Sequence, residues 1–171
     1  MRHSVTFTHD EGVNALWELR GLLRRAIRTA LDAEGVDVPC EVDVLLTDDA
    51  GIRAINKEQR GVDAATDVLS FPAWEFTPGA FDAAAGEPDP ETGLLPLGDM
   101  ALSIEHIRAQ AAEYGNSLGR EAAYLTVHSV LHLLGYDHLD EGEQKKQMRA
   151  REKAVMAALG LAEEECIIHN S

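Results

Sequence analysis

Residues 120–134 can only form a helix that other elements surround. Ala122, Ala123, Leu125, Val127, Val130, Leu131, Leu133 and Leu134 are spread around almost its whole circumference, and a helix that is apolar on all sides has to be buried on most of them. Two histidines, His128 and His132, lie inside that run. The chain has 171 residues, the length of one typical domain. A chain of that size buries about 70% of its unfolded surface, enough to enclose such a rod without disulfides.

The rest of the sequence supplies the enclosing elements. Val5-Thr6-Phe7-Thr8 alternates apolar and polar residues, the period of a half-buried strand. Asp10 and Glu11 stand where an N-cap and first-turn acids belong. From Val13, apolar residues return at three- and four-residue steps through Leu16, Trp17, Leu23, Ile27, Ala30 and Leu31, predicting an amphipathic helix that ends near Gly35. Residues 41–47 predict a second strand with Val42, Val44 and Leu46 on one face. Asp48 is placed to cap a short helix reaching about Lys57. A third strand is predicted over 67–71, stopped by Pro72, and a fourth over 98–103. Ser103 opens a helix to about Tyr114, and Asp140 precedes a last one over about 141–159. Residues 75–96 hold four of the six prolines and no basic residue, which predicts a surface loop or partly ordered insertion. The fold class is α+β: a small mixed β-sheet of about four strands, packed with about five helices around the buried, histidine-bearing one. One domain over 1–171 is expected, with no internal repeat.

Composition limits the surroundings. No apolar stretch approaches the roughly 20 residues of a membrane span, and residues 1–7 lack the apolar core of a signal peptide. Cys40 and Cys166 are too few and too far apart for a disulfide framework or a metal pair. Free thiols in a reducing cytoplasm are expected, with no membrane partner. Fifteen Lys and Arg against thirty Asp and Glu give a net charge of −15, which argues against broad binding to phosphate backbones. The distribution matters too. No Lys or Arg occurs from residue 61 to residue 107, a stretch carrying nine acids, whereas Arg20, Arg24 and Arg28 recur every four residues. That spacing lines the arginines along one helix face, either a solvated face or a local track for an anionic ligand.

The chemistry lies at the end of the apolar helix, in His128-Ser129-Val130-Leu131-His132-Leu133-Leu134-Gly135-Tyr136-Asp137-His138. Positions i and i+4 are offset by about 40° around a helix and about 6 Å along it, so both imidazoles share a face. They can converge on one ion, with zinc–nitrogen distances of about 2.0–2.1 Å. Were the helix to continue, His138 would lie about 15 Å beyond His128 and point elsewhere. Gly135 stands where the chain must break, because glycine enters the left-handed conformation without a Cβ clash. The alternative is one or two buried, hydrogen-bonded histidines and an exposed one. Three imidazoles with a glycine at the break favour a metal site, and imidazole suits zinc as well as copper, iron and nickel. Three protein ligands leave one position open, the catalytic arrangement. The ligand spacing equals that of the metzincin peptidases, His-Glu-x-x-His-x-x-Gly-x-x-His. Here the Glu position is Ser129, and a neutral hydroxyl cannot act as the carboxylate base of a zinc peptidase.

With these residues the sequence resembles the YbeY-type endoribonucleases, bacterial rRNA maturation factors. Two further blocks carry the likeness. One is Ile55-Asn56-Lys57-Glu58-Gln59-Arg60 followed by Ala65-Thr66-Asp67-Val68-Leu69-Ser70-Phe71-Pro72, and the other is Leu97-Gly98-Asp99-Met100-Ala101-Leu102-Ser103. The resemblance implies a zincin-like site holding Zn2+, or another divalent transition ion such as Ni2+, on His128, His132 and His138. It also implies Arg60 in the same cleft for catalysis and substrate binding, with His128 as the other catalytic residue. The implied activity is cleavage of single-stranded rRNA in 16S 3′-end maturation and ribosome quality control. The implied partners are the small ribosomal subunit and assembly factors such as the GTPase Era, with a monomer as the default. Two departures stand out: Ser129 replaces the family's usual glycine, and the 75–96 segment is longer and more acidic than usual.

The residue types suit those roles. A guanidinium is a permanently charged fork matched to phosphate oxygens, although Arg60 is equally able to form a surface salt bridge. Asp137 could orient a histidine or solvate the turn. His3, His9, His106 and His169 lack ligand spacing and are expected to be non-catalytic. Trp17 and Trp74 are able to stack bases, though Trp17 at helical spacing suits a core. Two competing functions remain: a non-catalytic ribosome-assembly factor with a structural metal, and a zinc peptidase or small-molecule hydrolase.

Overall fold

Four strands make one sheet in the computed structural model, which describes residues 2–11, 13, 17–137 and 142–162. They are β1 (Ser4–His9), β2 (Cys40–Thr47), β3 (Val68–Pro72) and β4 (Leu95–Ser103), in the spatial order β1-β2-β4-β3. β1, β2 and β4 are parallel, whereas β3 runs antiparallel to β4 on the edge. Five helices follow the chain: α1 (Arg20–Ala33), α2 (Asp49–Arg60), α3 (Ile104–Tyr114), α4 (Leu118–Leu133) and α5 (Glu143–Ala158). The predicted α+β class, strand number and helix number all hold.

The pleat decides what covers each face. Val42, Val44, Leu46, Met100 and Leu102 point to the face on which α1 and α4 pack. The alternate residues Leu45, Leu69 and Ala101 point the other way, against Ile52 and Ile55 of α2. Beyond the reach of α2 the second face carries Asp43 and Asp99, which are exposed. α5 lies against α1 and α4, outside the sheet. Among the described residues no helix is long and apolar enough to cross a membrane.

The starts of α2 and α3 follow the predicted caps, whereas α4 begins at Leu118, two residues before its expected start. The Asp48 carboxylate accepts the Gly51 N–H at 2.8 Å, and Ser103 and Ser117 cap α3 and α4 in the same way. Such caps satisfy amide donors that have no partner within the helix. The first helix departs from its predicted start. The α-helical part begins at Arg20, after one 3-10 turn over Trp17–Leu19.

The 75–96 segment is more structured than its composition predicts. Its last residues open β4: Leu95 and Leu97 are buried. Pro96 obscured this strand because proline lacks the ladder donor. The sheet accommodates it with a register shift between Glu41 and Val42, so that Leu97 has no partner in β2; a bulge is where a central strand tolerates proline. The loop itself is held by Phe76 and Phe81, with ring centroids 5.1 Å apart, and by the Trp74 indole N–H donating to the Pro96 carbonyl at 2.7 Å.

The arginine row on α1 serves the fold. Arg28 donates from Nε and Nη2 to the His3 carbonyl at 3.2 and 3.0 Å, and Arg24 lies over the Phe7 ring at 5.3 Å. Both tie α1 to the β1 edge, in place of an open track for an anion.

Candidate active site

From Glu121 to Leu133 every residue of α4 is buried except Tyr124, His128 and His132. These three recur at four-residue steps and therefore form one stripe. That stripe is one wall of a cleft of about 1110 Å³, whose other walls include β3, Trp74, Gln110 and Arg60. The predicted burial on most sides of this helix is thus observed, and the side left open bears the histidines.

Each imidazole is held at its Nδ1. His132 Nδ1 donates to the Tyr136 carbonyl at 2.8 Å, and His128 Nδ1 donates to Glu152 Oε2 at 2.5 Å. A carbonyl and a carboxylate are acceptors, so each Nδ1 carries the proton and each Nε2 the lone pair. The two Nε2 atoms lie 3.0 Å apart. Two lone pairs at that distance repel unless a cation or a shared proton lies between them. The separation is also within the roughly 4 Å that two ligands at about 2.0–2.1 Å from one zinc can span. The pair therefore fits an ion. Among the described residues no group of three His, Cys, Asp or Glu side chains is placed to hold one. His138, the third predicted ligand, lies outside the described residues.

The predicted break is present. α4 ends at Leu133, and Gly135 takes φ +102°. The Gly135 and Tyr136 amides donate back to the His132 and Leu131 carbonyls at 3.1 and 3.0 Å, satisfying the helix end. A Cβ at Gly135 would meet the Phe76 carbonyl oxygen at 2.1 Å, so both the backbone angle and the space require glycine.

Arg60 ends α2 and faces the same cleft, exposed to solvent. Its Nη1 donates to Asn56 Oδ1 at 3.3 Å, and buried Asn56 is fixed by donating to the Ala64 carbonyl at 2.9 Å. Ser129, by contrast, is fully buried, its Oγ 2.6 Å from Ser70 Oγ on β3. Asp137 lines the cleft, and Glu152 and the Tyr136 carbonyl accept from the Nδ1 atoms of His128 and His132. His3 and His106 serve the fold. Buried His3 accepts the Cys40 N–H at 3.1 Å, and His106 pairs with Asp49 at 2.7 Å. His169 and Cys166 lie outside the described residues.

Glu152 and Tyr124 were not legible as site residues. Glu152 is buried on α5, and the Tyr124 hydroxyl donates to its Oε1 at 3.0 Å. Burial, and then the charge of Glu152, push the Tyr124 hydroxyl above the usual tyrosine range, so it stays a donor. One signal existed: Met148, Glu152, Val155 and Met156 follow the spacing of a buried helix face, and an acid in such a stripe calls for a partner.

The family model described as Endoribonuclease YbeY matches residues 6–160. An Endoribonuclease YbeY of Pelotomaculum thermopropionicum is 50% identical over 143 residues, covering 84% of this chain and 88% of that protein. One from Chloroflexus aurantiacus is 44% identical over 164 residues, covering 96% and 100%. The solution structure of TM1509 from Thermotoga maritima has the same fold, with a TM-score of 0.50 and 23% identity over 92% of this chain and 91% of that one.

Proposed function

The chain belongs to the YbeY endoribonuclease family, hydrolases of RNA phosphodiester bonds, and we propose that it is a metal-dependent enzyme cutting single-stranded rRNA in 16S 3′-end maturation and ribosome quality control. The observation that carries the metal is the Nε2 pair of His128 and His132, 3.0 Å apart with both Nδ1 atoms engaged. His128, His132 and His138 would hold the ion, zinc before nickel. When bound, it supplies Lewis-acid polarisation of a phosphoryl oxygen or a more acidic water. Arg60 binds a phosphate oxygen through its fork and opposes the charge that develops during transfer. Asn56 limits the directions that fork can take. Tyr124 and Trp74, which line the cleft, offer ring faces on which the bases of an unpaired strand can stack. The partners of that role are the small ribosomal subunit and its assembly factors, with Era among them.

The test is metal analysis of the purified protein beside cleavage of single-stranded and duplex RNA. Expected results are about one zinc per chain, cleavage of the single strand only, and loss of cleavage on chelation and in His132→Ala. A zinc-free preparation that cleaves as well as a loaded one would sink the reading. A His132→Ala variant that folds but neither binds zinc nor differs in cleavage would place the activity elsewhere. A 2′,3′-cyclic phosphate end would assign the attack to the ribose 2′-OH, and a 5′-phosphate end to water.

A further inference from the structure

The search for chemistry beyond the histidines leads to α5. Glu152 is 4% exposed, and both its oxygens are engaged from α4, Oε2 by His128 Nδ1 at 2.5 Å and Oε1 by the Tyr124 hydroxyl at 3.0 Å. It stands 24 residues from His128 in sequence, so only packing of α5 on α4 brings the two together. Burial of a carboxylate is costly unless hydrogen bonds to it are well made. Met148, Val155 and Met156 are buried on the same helix, so an apolar residue at 152 would have continued that stripe.

We infer that Glu152 is the positioning residue of the metal site. It fixes His128 in the tautomer whose Nε2 faces His132, and is itself aimed by Tyr124. A carboxylate on the far nitrogen of a ligand imidazole has this effect generally, and its removal typically weakens metal binding by about 10- to 100-fold. Glu152 touches no substrate and acts through His128. The inference rests on the proposed metal site, and its test separates the two.

The experiment uses the full chain and Zn2+ alone, titrated against a chromophoric chelator. Glu152→Gln keeps the shape and removes the charge, and its zinc dissociation constant is expected to rise by about 10- to 100-fold over wild type. Tyr124→Phe keeps the Glu152–His128 bond and should move the constant less. A Glu152→Gln variant within about twofold of wild type would overturn the inference while leaving the metal site standing. Nitrogen-detected NMR of the wild-type imidazoles gives the readout that a merely structural glutamate would not move. The expected result is a slowly exchanging, far-downfield Nδ1 proton on His128. A His128 ring protonated at Nε2 instead, in loaded or metal-free protein, overturns the positioning role even if Glu152→Gln fails to fold. If wild type binds no zinc, the metal reading fails, and the Nδ1 proton still decides whether Glu152 sets the ring.

Discussion

The hydroxyl of Tyr136 donates to Oε1 of Glu34 at 2.6 Å, across 102 residues of sequence. The Glu34 side chain is 4% exposed, and its other oxygen accepts from Arg151 Nε at 2.6 Å. Tyr136 is also the residue whose carbonyl holds His132. The end of α1, the turn after α4 and the middle of α5 therefore meet at one buried carboxylate. Adjacent residues of α5, Arg151 and Glu152, reach the two histidines by separate routes.

Tyr136→Phe removes one hydrogen bond to a charged, buried acceptor and should cost about 1.5–3 kcal/mol of stability. Urea denaturation at neutral pH measures it. Arg151→Gln takes the cation from the same buried carboxylate and also removes the Nη2 bond to the Ala33 carbonyl at 2.8 Å, so it should cost at least as much. A loss in Arg151→Gln well below that in Tyr136→Phe would contradict this ordering.

Gly135→Ala meets two obstacles, a φ of +102° and the Phe76 carbonyl 2.1 Å from the new Cβ. Strain of about 1–3 kcal/mol comes from the backbone angle alone. The clash is with main chain and cannot be relieved by rotating a side chain. The variant should melt lower and lose zinc binding as the turn shifts. A Gly135→Ala protein with wild-type melting and wild-type zinc affinity would refute the requirement.

Ser129→Gly installs the residue that the family resemblance makes usual there. It removes the 2.6 Å bond to Ser70 and adds a glycine to a helix interior, for a combined cost of about 1–2 kcal/mol. Because this side chain is buried against Ser70 and does not itself line the cleft, zinc affinity and RNA cleavage should not change. Ser129→Glu should fail to yield a peptidase: its carboxylate would be buried against the sheet, where it destabilises the fold.

Asp43 gives the pH dependence. Contact with the sheet beneath it, then the charges of Glu41 and of Asp99 across the strand pair, push its carboxyl up to about 6. The raised value means that the folded protein holds this proton more tightly than the unfolded chain does. Its contribution is most favourable below pH about 4 and is lost as pH rises toward 6. Asp43→Asn should therefore raise the melting temperature at pH 8 and leave it nearly unchanged at pH 4. The opposite order, a gain confined to acid, would show that these charges do not repel one another as placed.

Much of this fold was readable because its signals are local. Alternation marked β1 and β2, the Asp48 and Ser103 caps marked helix starts, and the all-round apolar run marked α4 as the central rod. The histidine pair and Gly135 were readable for the same reason, since a helix fixes the relation of residues four apart. The partners were not. Nothing near Glu152 announces His128, nothing near Glu34 announces Tyr136, and the antiparallel course of β3 is decided by what it packs against. The start of β4 was hidden by Pro96, whose effect on the ladder depends on a bulge in a neighbouring strand. The arginine row on α1 was visible as a row, but its anchoring to His3 and Phe7 was not.

The burial of α4 on every side but one has a practical corollary. The one open side is already occupied by the two rings proposed to hold the ion and by Tyr124. Anyone wishing to retune which strands the cleft admits must therefore work from the facing wall at exposed Glu75, since Trp74 and Phe76 beside it hold the loop to the core.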